Sequence, residues 1–122
     1  MKMHLEKSNR QLISNYGPGN ISVDGKSYDQ MILVGQTSVE MCDFKGPVSE
    51  ITLEALQPLI KQRPEILILG SGVNHVFPPA KLIAELAASG IALETMTTSA
   101  ACRTYNVLVA EFRDVAAALL PM

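Results

Sequence analysis

Apolar positions along this chain fall first into short β-like runs and later into stripes at helical spacing, with Gly and Pro as punctuation between them. Ile21, Val23 and Tyr28 flank Asp24-Gly25, a dipeptide that tolerates the positive φ angles of a tight turn, so a β-hairpin is predicted near residues 20 to 29. The run Met31-Ile32-Leu33-Val34 closed by Gly35 predicts a second β segment. A further strand is expected over Ser38 to Phe44, before Gly46-Pro47 breaks the chain.

From Leu53 the period changes. Leu53, Leu56 and Ile60 form one stripe of a helix that Ser49 or Thr52 would cap, with Pro58 as a kink and Pro64 as its stop. Glu65-Ile66-Leu67-Ile68-Leu69-Gly70 follows, and its continuous apolar run suits a strand covered on both faces, as in a parallel sheet. Pro79 fits the first position of the next helix, Leu82, Ile83 and Leu86 face the core, and Gly90 fits the left-handed residue past its end. Ile91 to Met96 reads as another strand, which makes a right-handed βαβ crossover with two adjacent parallel strands.

Thr97, Thr98 or Ser99 can cap a third helix in which Ala101, Tyr105, Leu108 and Phe112 share a face. On that phase Phe112 enters the core; its alternative is apolar surface for a partner. The tail Val115 to Leu120 is ambiguous, because alanine favours helix while an apolar run ended by Pro121 also fits a buried strand. Propensity alone gives helix.

No repeat or linker interrupts the pattern, and 122 residues suit one α/β domain spanning 1–122, with 1–10 frayed. The hydrophobic fraction of 48% and mean hydropathy of +0.19 are those of a packed globule. A net charge of −2 and the absence of a Lys/Arg cluster argue against nucleic acid as a partner. Met1 to Arg10 lacks the apolar run of an export signal, and no stretch is long enough to insert in a membrane. Cys42 and Cys102 sit in no CxxC or Cys/His pattern, so neither a metal site nor a cofactor is expected, and free thiols point to the cytoplasm.

Ligands of open α/β sheets bind at the carboxyl ends of parallel strands, which directs attention to the loops after Leu69 and Met96. Gly70-Ser71-Gly72 opens like a dinucleotide fingerprint, with Glu94 in the place of its ribose-binding acid. His75 stands where the third glycine belongs, however, and Pro78-Pro79 delays the helix. In the second loop, Thr98, Ser99 and the first N–H groups of a helix stand beside Arg103, with Asn106 one turn on. That set would bind an anion; the plainer reading is a capped helix with Arg103 paired to Glu111 or Asp114. Cys102 in that first turn, with His75 as base, would form a nucleophilic pair; a buried packing cysteine is the alternative. His4 is read as solvated surface near a frayed end.

Pro64 to Gly72, Gly90-Ile91 and Glu94 to Leu108 together resemble a domain-of-unknown-function family. Its members include mitochondrial respiratory complex I assembly factor 3 and the adipogenesis-associated Mth-type domain protein. The resemblance runs from the Ile21 hairpin to Pro121. It implies a three-layer α/β fold with a central mixed sheet and a final buried strand, Val115 to Leu120, antiparallel to its neighbours. The family's characterised members act as assembly or regulatory factors, so the resemblance implies a protein-binding module with an unknown protein partner. Ser71, Thr97 and Phe112 depart from the family pattern, where threonine, aspartate and a small residue are common, and Thr97 removes an acid from the candidate site. An exposed sheet edge near Met31 to Val34 makes a homodimer a further candidate. The alternative function is a small enzyme or anion-binding protein, using the cleft between the Gly70 to Gly72 and Thr97 to Arg103 loops.

Overall fold

The computed structural model describes residues 11–122; residues 1–10, expected to be frayed, and with them His4, lie outside the described residues. Among the described residues, eight strands form two sheets. Strands β1 (Ile13–Gly17), β2 (Asn20–Val23) and β3 (Lys26–Tyr28) make an antiparallel meander. Strands β4 (Ile32–Val34), β5 (Val39–Met41), β6 (Ile66–Gly70), β7 (Ala92–Met96) and β8 (Val115–Leu119) form a mixed sheet in the order β5-β4-β8-β6-β7. Three helices complete the described chain: α1 (Gln57–Ile60), α2 (Ala80–Ala88) and α3 (Thr98–Ala110).

The centre of the mixed sheet is parallel. β6 pairs in parallel with β7 on one side and with β8 on the other, so three carboxyl ends emerge together. β8 is antiparallel to β4 alone, which corrects the expectation that it opposes all its neighbours. The reason is topological: α3 carries the chain from the end of β7 back across the sheet, so β8 starts from the same end as β6 and β7.

β8 is buried throughout, and successive side chains go to opposite clusters. Ala116 and Ala118 pack with Leu67, Leu69, Leu82 and Leu86 on the α2 side. Val115, Ala117 and Leu119 pack with Ile68, Ala101, Cys102 and Tyr105 on the α3 side. The small alanines let both layers approach, and two-sided burial overrides their helix propensity.

The β1–β3 meander lies against α3. Ile13, Ile21 and Val23 share its cluster. Asn106 meets β1 as a second strand would: Ile13 N donates to Asn106 Oδ1 at 3.0 Å, and Asn106 Nδ2 donates to Ile13 O at 2.7 Å. Tyr105 adds a bond from its hydroxyl to Gln11 O at 2.8 Å.

The Asp24-Gly25 hairpin forms as expected between β2 and β3, and β1, whose sequence carries no clear alternation, pairs antiparallel with β2. The helix expected along Leu53 to Ile60 is a 3-10 turn at Glu54–Leu56 followed by one turn of α1. Pro58 lies in that first turn, where its missing N–H costs nothing, so it begins the helix rather than kinking it. Of the two proposed caps, Thr52 accepts from Ala55 N at 3.2 Å, while Ser49 sits inside a 3-10 turn with no side-chain cap. β5 is shorter than the predicted Ser38 to Phe44 segment. Pro79 is the residue before α2 rather than its first, and Gly90 takes its positive φ of 82° past the α2 end as expected.

Two core assignments change. Ile83 is 37% exposed, because the α2 stripe that reaches the sheet is Leu82 and Leu86. Phe112 is 40% exposed: α3 stops at Ala110 and the chain turns through a left-handed residue at Phe112, so the helical phase no longer applies there.

Replacing Asn106 by Leu would strip both bonds from Ile13 and leave its backbone groups without partners in a half-buried joint. A loss of about 1–3 kcal/mol is expected, together with faster amide exchange across β1 to β3 than across β6 and β8. Chemical denaturation and hydrogen exchange measure both.

Candidate functional site

The carboxyl ends of β6, β7 and β8 converge, as the sequence predicts for the loops after Leu69 and Met96. Gly70 and Met96 are register partners. What fills that convergence is a closed set of hydrogen bonds. Leu120 N donates to Gly70 O at 3.0 Å, Ser71 N donates to Met96 O at 2.9 Å, and Thr98 N donates to Gly72 O at 2.9 Å. The Thr98 hydroxyl accepts from Gly72 N at 2.8 Å and donates to Leu120 O. Thr98 is fully buried, and one side chain therefore ties the β6 loop, the start of α3 and the end of β8.

Both glycines have a structural reason. A Cβ on Gly70 would lie 3.0 Å from Ala101 Cβ, 3.0 Å from Thr98 Oγ1 and 3.1 Å from Leu119 Cδ2. Close contact between α3 and the sheet end thus excludes a side chain there. Gly72 holds φ at +97°, a conformation other residues rarely adopt. Ser71 is buried, donates from its hydroxyl to Asn74 O at 2.7 Å and accepts from Val76 N at 2.9 Å, which folds the loop back on itself.

The start of α3 is likewise occupied. Thr97 is the N-cap and accepts from Ala100 N at 3.4 Å, and Ala101 N donates to Thr97 O at 2.9 Å. Ser99 is half-buried in the first turn and is not the cap. Arg103 is exposed and donates to the Tyr16 hydroxyl at 3.2 Å, so it meets β1 instead of Glu111 or Asp114. Asn106, as described, is bound to Ile13. The residues gathered as an anion clamp thus divide: Thr98 knots the strand ends, while Arg103 and Asn106 hold the meander.

The structure does not bring Cys102 and His75 together. His75 Nε2 lies 2.9 Å from Thr95 Oγ1, and Thr95 is in register with Leu69, whose side chain belongs to the α2 face. Cys102 is packed with Ile68 on the opposite face, under α3. The sheet separates them. Burial pushes the Cys102 thiol up from 9.0 to about 11, against the smaller lowering by Arg103. That direction is the reverse of what an activated thiolate requires. His75 packs at a tilt against the exposed Phe77, with ring centroids 4.4 Å apart and planes at 40°; no sequence pattern marks this aromatic. Cys42 is also free and buried. Among the described residues, no group of three or more His, Cys, Asp or Glu side chains is placed to hold a metal ion.

Residues 13–120 match the family model described as protein of unknown function (DUF498/DUF598). The chain belongs to this family. It is 32% identical over 121 residues to NADH dehydrogenase (ubiquinone) 1 alpha subcomplex assembly factor 3 of Danio rerio, covering 98% of this chain and 69% of that protein. The 13 kDa major membrane protein of Francisella tularensis is 28% identical over 106 residues, 86% of each chain. Among solved structures, a protein from Bordetella parapertussis superposes with a TM-score of 0.85 at 32% identity, over 93% of this chain and 97% of that one. The resemblance read from the Pro64 to Gly72 and Glu94 to Leu108 segments therefore identified the family and its fold. No described helix is long and apolar enough to cross a membrane.

Two outcomes test this geometry. Thr98→Val keeps the shape but leaves the buried Gly72 N–H without its acceptor, and should cost about 1–3 kcal/mol in denaturant titration, whereas Thr98→Ser should cost less. Cys102 should react with a disulfide reagent at neutral pH only after unfolding. Its folded pKa lies above the unfolded one, so the folded state holds the proton more tightly. Its stability contribution is complete below pH 9 and declines as pH rises toward about 11. Thermal melts of the wild type and Cys102→Ala between pH 8 and 11 should show a steeper decline for the wild type.

Proposed function

We propose that this chain is a non-enzymatic binding module of the assembly-factor kind, acting through contacts with another protein. The observation that carries the reading is its likeness to an assembly factor across 98% of its length. The strand-end geometry supports it. Gly70 O, Gly72 N, Gly72 O and Thr98 N, the groups that would hold a small ligand, already bond one another's segments. A ligand between those loops would have to break the contacts that join the sheet to α3.

The partner in this reading is not nucleic acid, because the net charge of −2 provides no attraction for a phosphate backbone. We place the contact in the cytoplasm, where the free thiols of Cys42 and Cys102 would stay reduced. The name of the Francisella relative points elsewhere, so fractionation of source cells is the direct check: recovery with the membrane pellet would overturn the cytoplasmic placement.

In-cell cross-linking of a tagged chain followed by mass spectrometry tests the binding role. A reproducible partner set, enriched over an unrelated α/β domain of similar size, is the expected result. Repeated recovery of no enriched protein would refute it.

A further inference from the structure

We propose that the β5 edge of the mixed sheet and the cleft beside it dock an extended segment of a partner protein that alternates basic and apolar residues. This rests on the binding-module reading and gives it a surface and a partner chemistry.

β5 is an end strand of the five-stranded sheet. Gly35 N donates to Ser38 O at 2.9 Å, and Cys42 N donates to Met31 O at 2.8 Å. Antiparallel ladders alternate, so the Leu33–Glu40 pair midway between these two turns its backbone groups inward to bond across the strands. Val39 and Met41 therefore direct their N–H and C=O groups outward, away from β4. An incoming strand finds two residues' worth of backbone donors and acceptors there.

The side chains along this edge set the chemistry. Glu40 is in register with Leu33, whose side chain belongs to the α1 and α2 face, so Glu40 stands over the cleft on that face. The cleft has a volume of 420 Å³ between β5 and the 52–58 turn. Its floor is apolar, with Leu33, Cys42, Phe44 and Pro58, and its wall carries Glu40, Asp43 and Glu54 without a lysine or arginine. All three carboxylates are exposed. Among the described residues, the ion pair formed is Arg113 with Glu65, elsewhere on the molecule. An apolar floor, three uncompensated carboxylates and an open ladder fit a strand that inserts one apolar side chain and presents lysine or arginine beside it.

The same geometry disfavours a second copy of this chain. Two β5 strands paired across a two-fold axis through the outward groups would set Val39 against Met41 and bring Glu40 of each copy face to face. That is the closely spaced position of the ladder, where like charges repel most.

The probe is a fluorescein-labelled peptide of about seven residues alternating lysine with valine or leucine, titrated by anisotropy against the full chain. Three comparisons decide. A peptide with glutamate in place of lysine should not bind. The double variant Glu40→Lys with Asp43→Lys should weaken binding about tenfold or more, whereas Glu111→Lys, outside the cleft, should leave it nearly unchanged. Met41→Pro removes an outward N–H without touching the inward ladder, and should weaken binding while the far-UV circular dichroism stays as in the wild type. Equal binding by all variants, or equal loss with Glu111→Lys, would overturn the proposal, as would self-association in sedimentation that Met41→Pro abolishes. Partners recovered by cross-linking that are indifferent to Glu40→Lys/Asp43→Lys and to Met41→Pro would refute this surface while leaving the binding role intact.

Discussion

The hydroxyl of Thr98 joins three parts of the chain that are far apart in sequence. It accepts from Gly72 N and donates to Leu120 O, while the Thr98 N–H bonds Gly72 O. Buried polar groups must find partners, and here the ends of two parallel strands satisfy one another through one side chain. Everything near the carboxyl edge follows from this closure. Gly70 must lack a side chain because Ala101 and Thr98 come so close, and Gly72 must take a left-handed turn to aim its N–H at the hydroxyl. A loop that looks like an opening for phosphate is a seam.

The strand that ends at this seam depends on what surrounds it. Val115 to Leu119 reads as helix from its alanines, yet it lies between β4 and β6 with an apolar layer on each side. A helix in that slot could not supply the ladder that β4 and β6 need, so the tertiary position decides its conformation. Because β8 is parallel to β6 and antiparallel to β4, it is also where the parallel centre of the sheet changes into the antiparallel β4–β5 edge.

Legibility followed periodicity. The Asp24-Gly25 turn, the Ile66 to Leu69 run, the Leu82 and Leu86 stripe with Gly90, and the Ala92 to Met96 strand all announced themselves locally, and each forms. β1 did not, because Ile13–Gly17 is held by pairing with β2 and by Asn106, while Tyr105 anchors Gln11 just before it, contacts some ninety residues away in sequence. The 53–60 segment misled because its apolar spacing fits a helix, whereas the fold uses only single turns there. At the candidate site, sequence named the right segments and missed their partners. Thr98, Gly70 and Gly72 do converge, but which of them face a ligand and which face one another depends on bonds to Leu120 and Met96. His75 and Cys102 looked like neighbours because their loops are neighbours, yet the sheet lies between the side chains.

Closure of the carboxyl edge has a consequence for where this family member can meet other molecules. A fold of this size offers binding through pockets at strand ends, through helix faces or through sheet edges. Here the strand ends are bonded inward, α3 is covered on one side by the sheet, contacts β1 through Arg103 and Asn106 and bonds Gln11 through Tyr105, and α2 buries Leu82 and Leu86. The backbone of β5 retains hydrogen-bonding groups that the fold leaves pointing outward, beside a cleft whose charge is of one sign. Affinity at such an edge comes from main-chain bonds that any extended segment can make, so selectivity has to come from side chains. In the proposed docking, Glu40, Asp43 and Glu54 would supply it by disfavouring acidic strands and favouring basic ones.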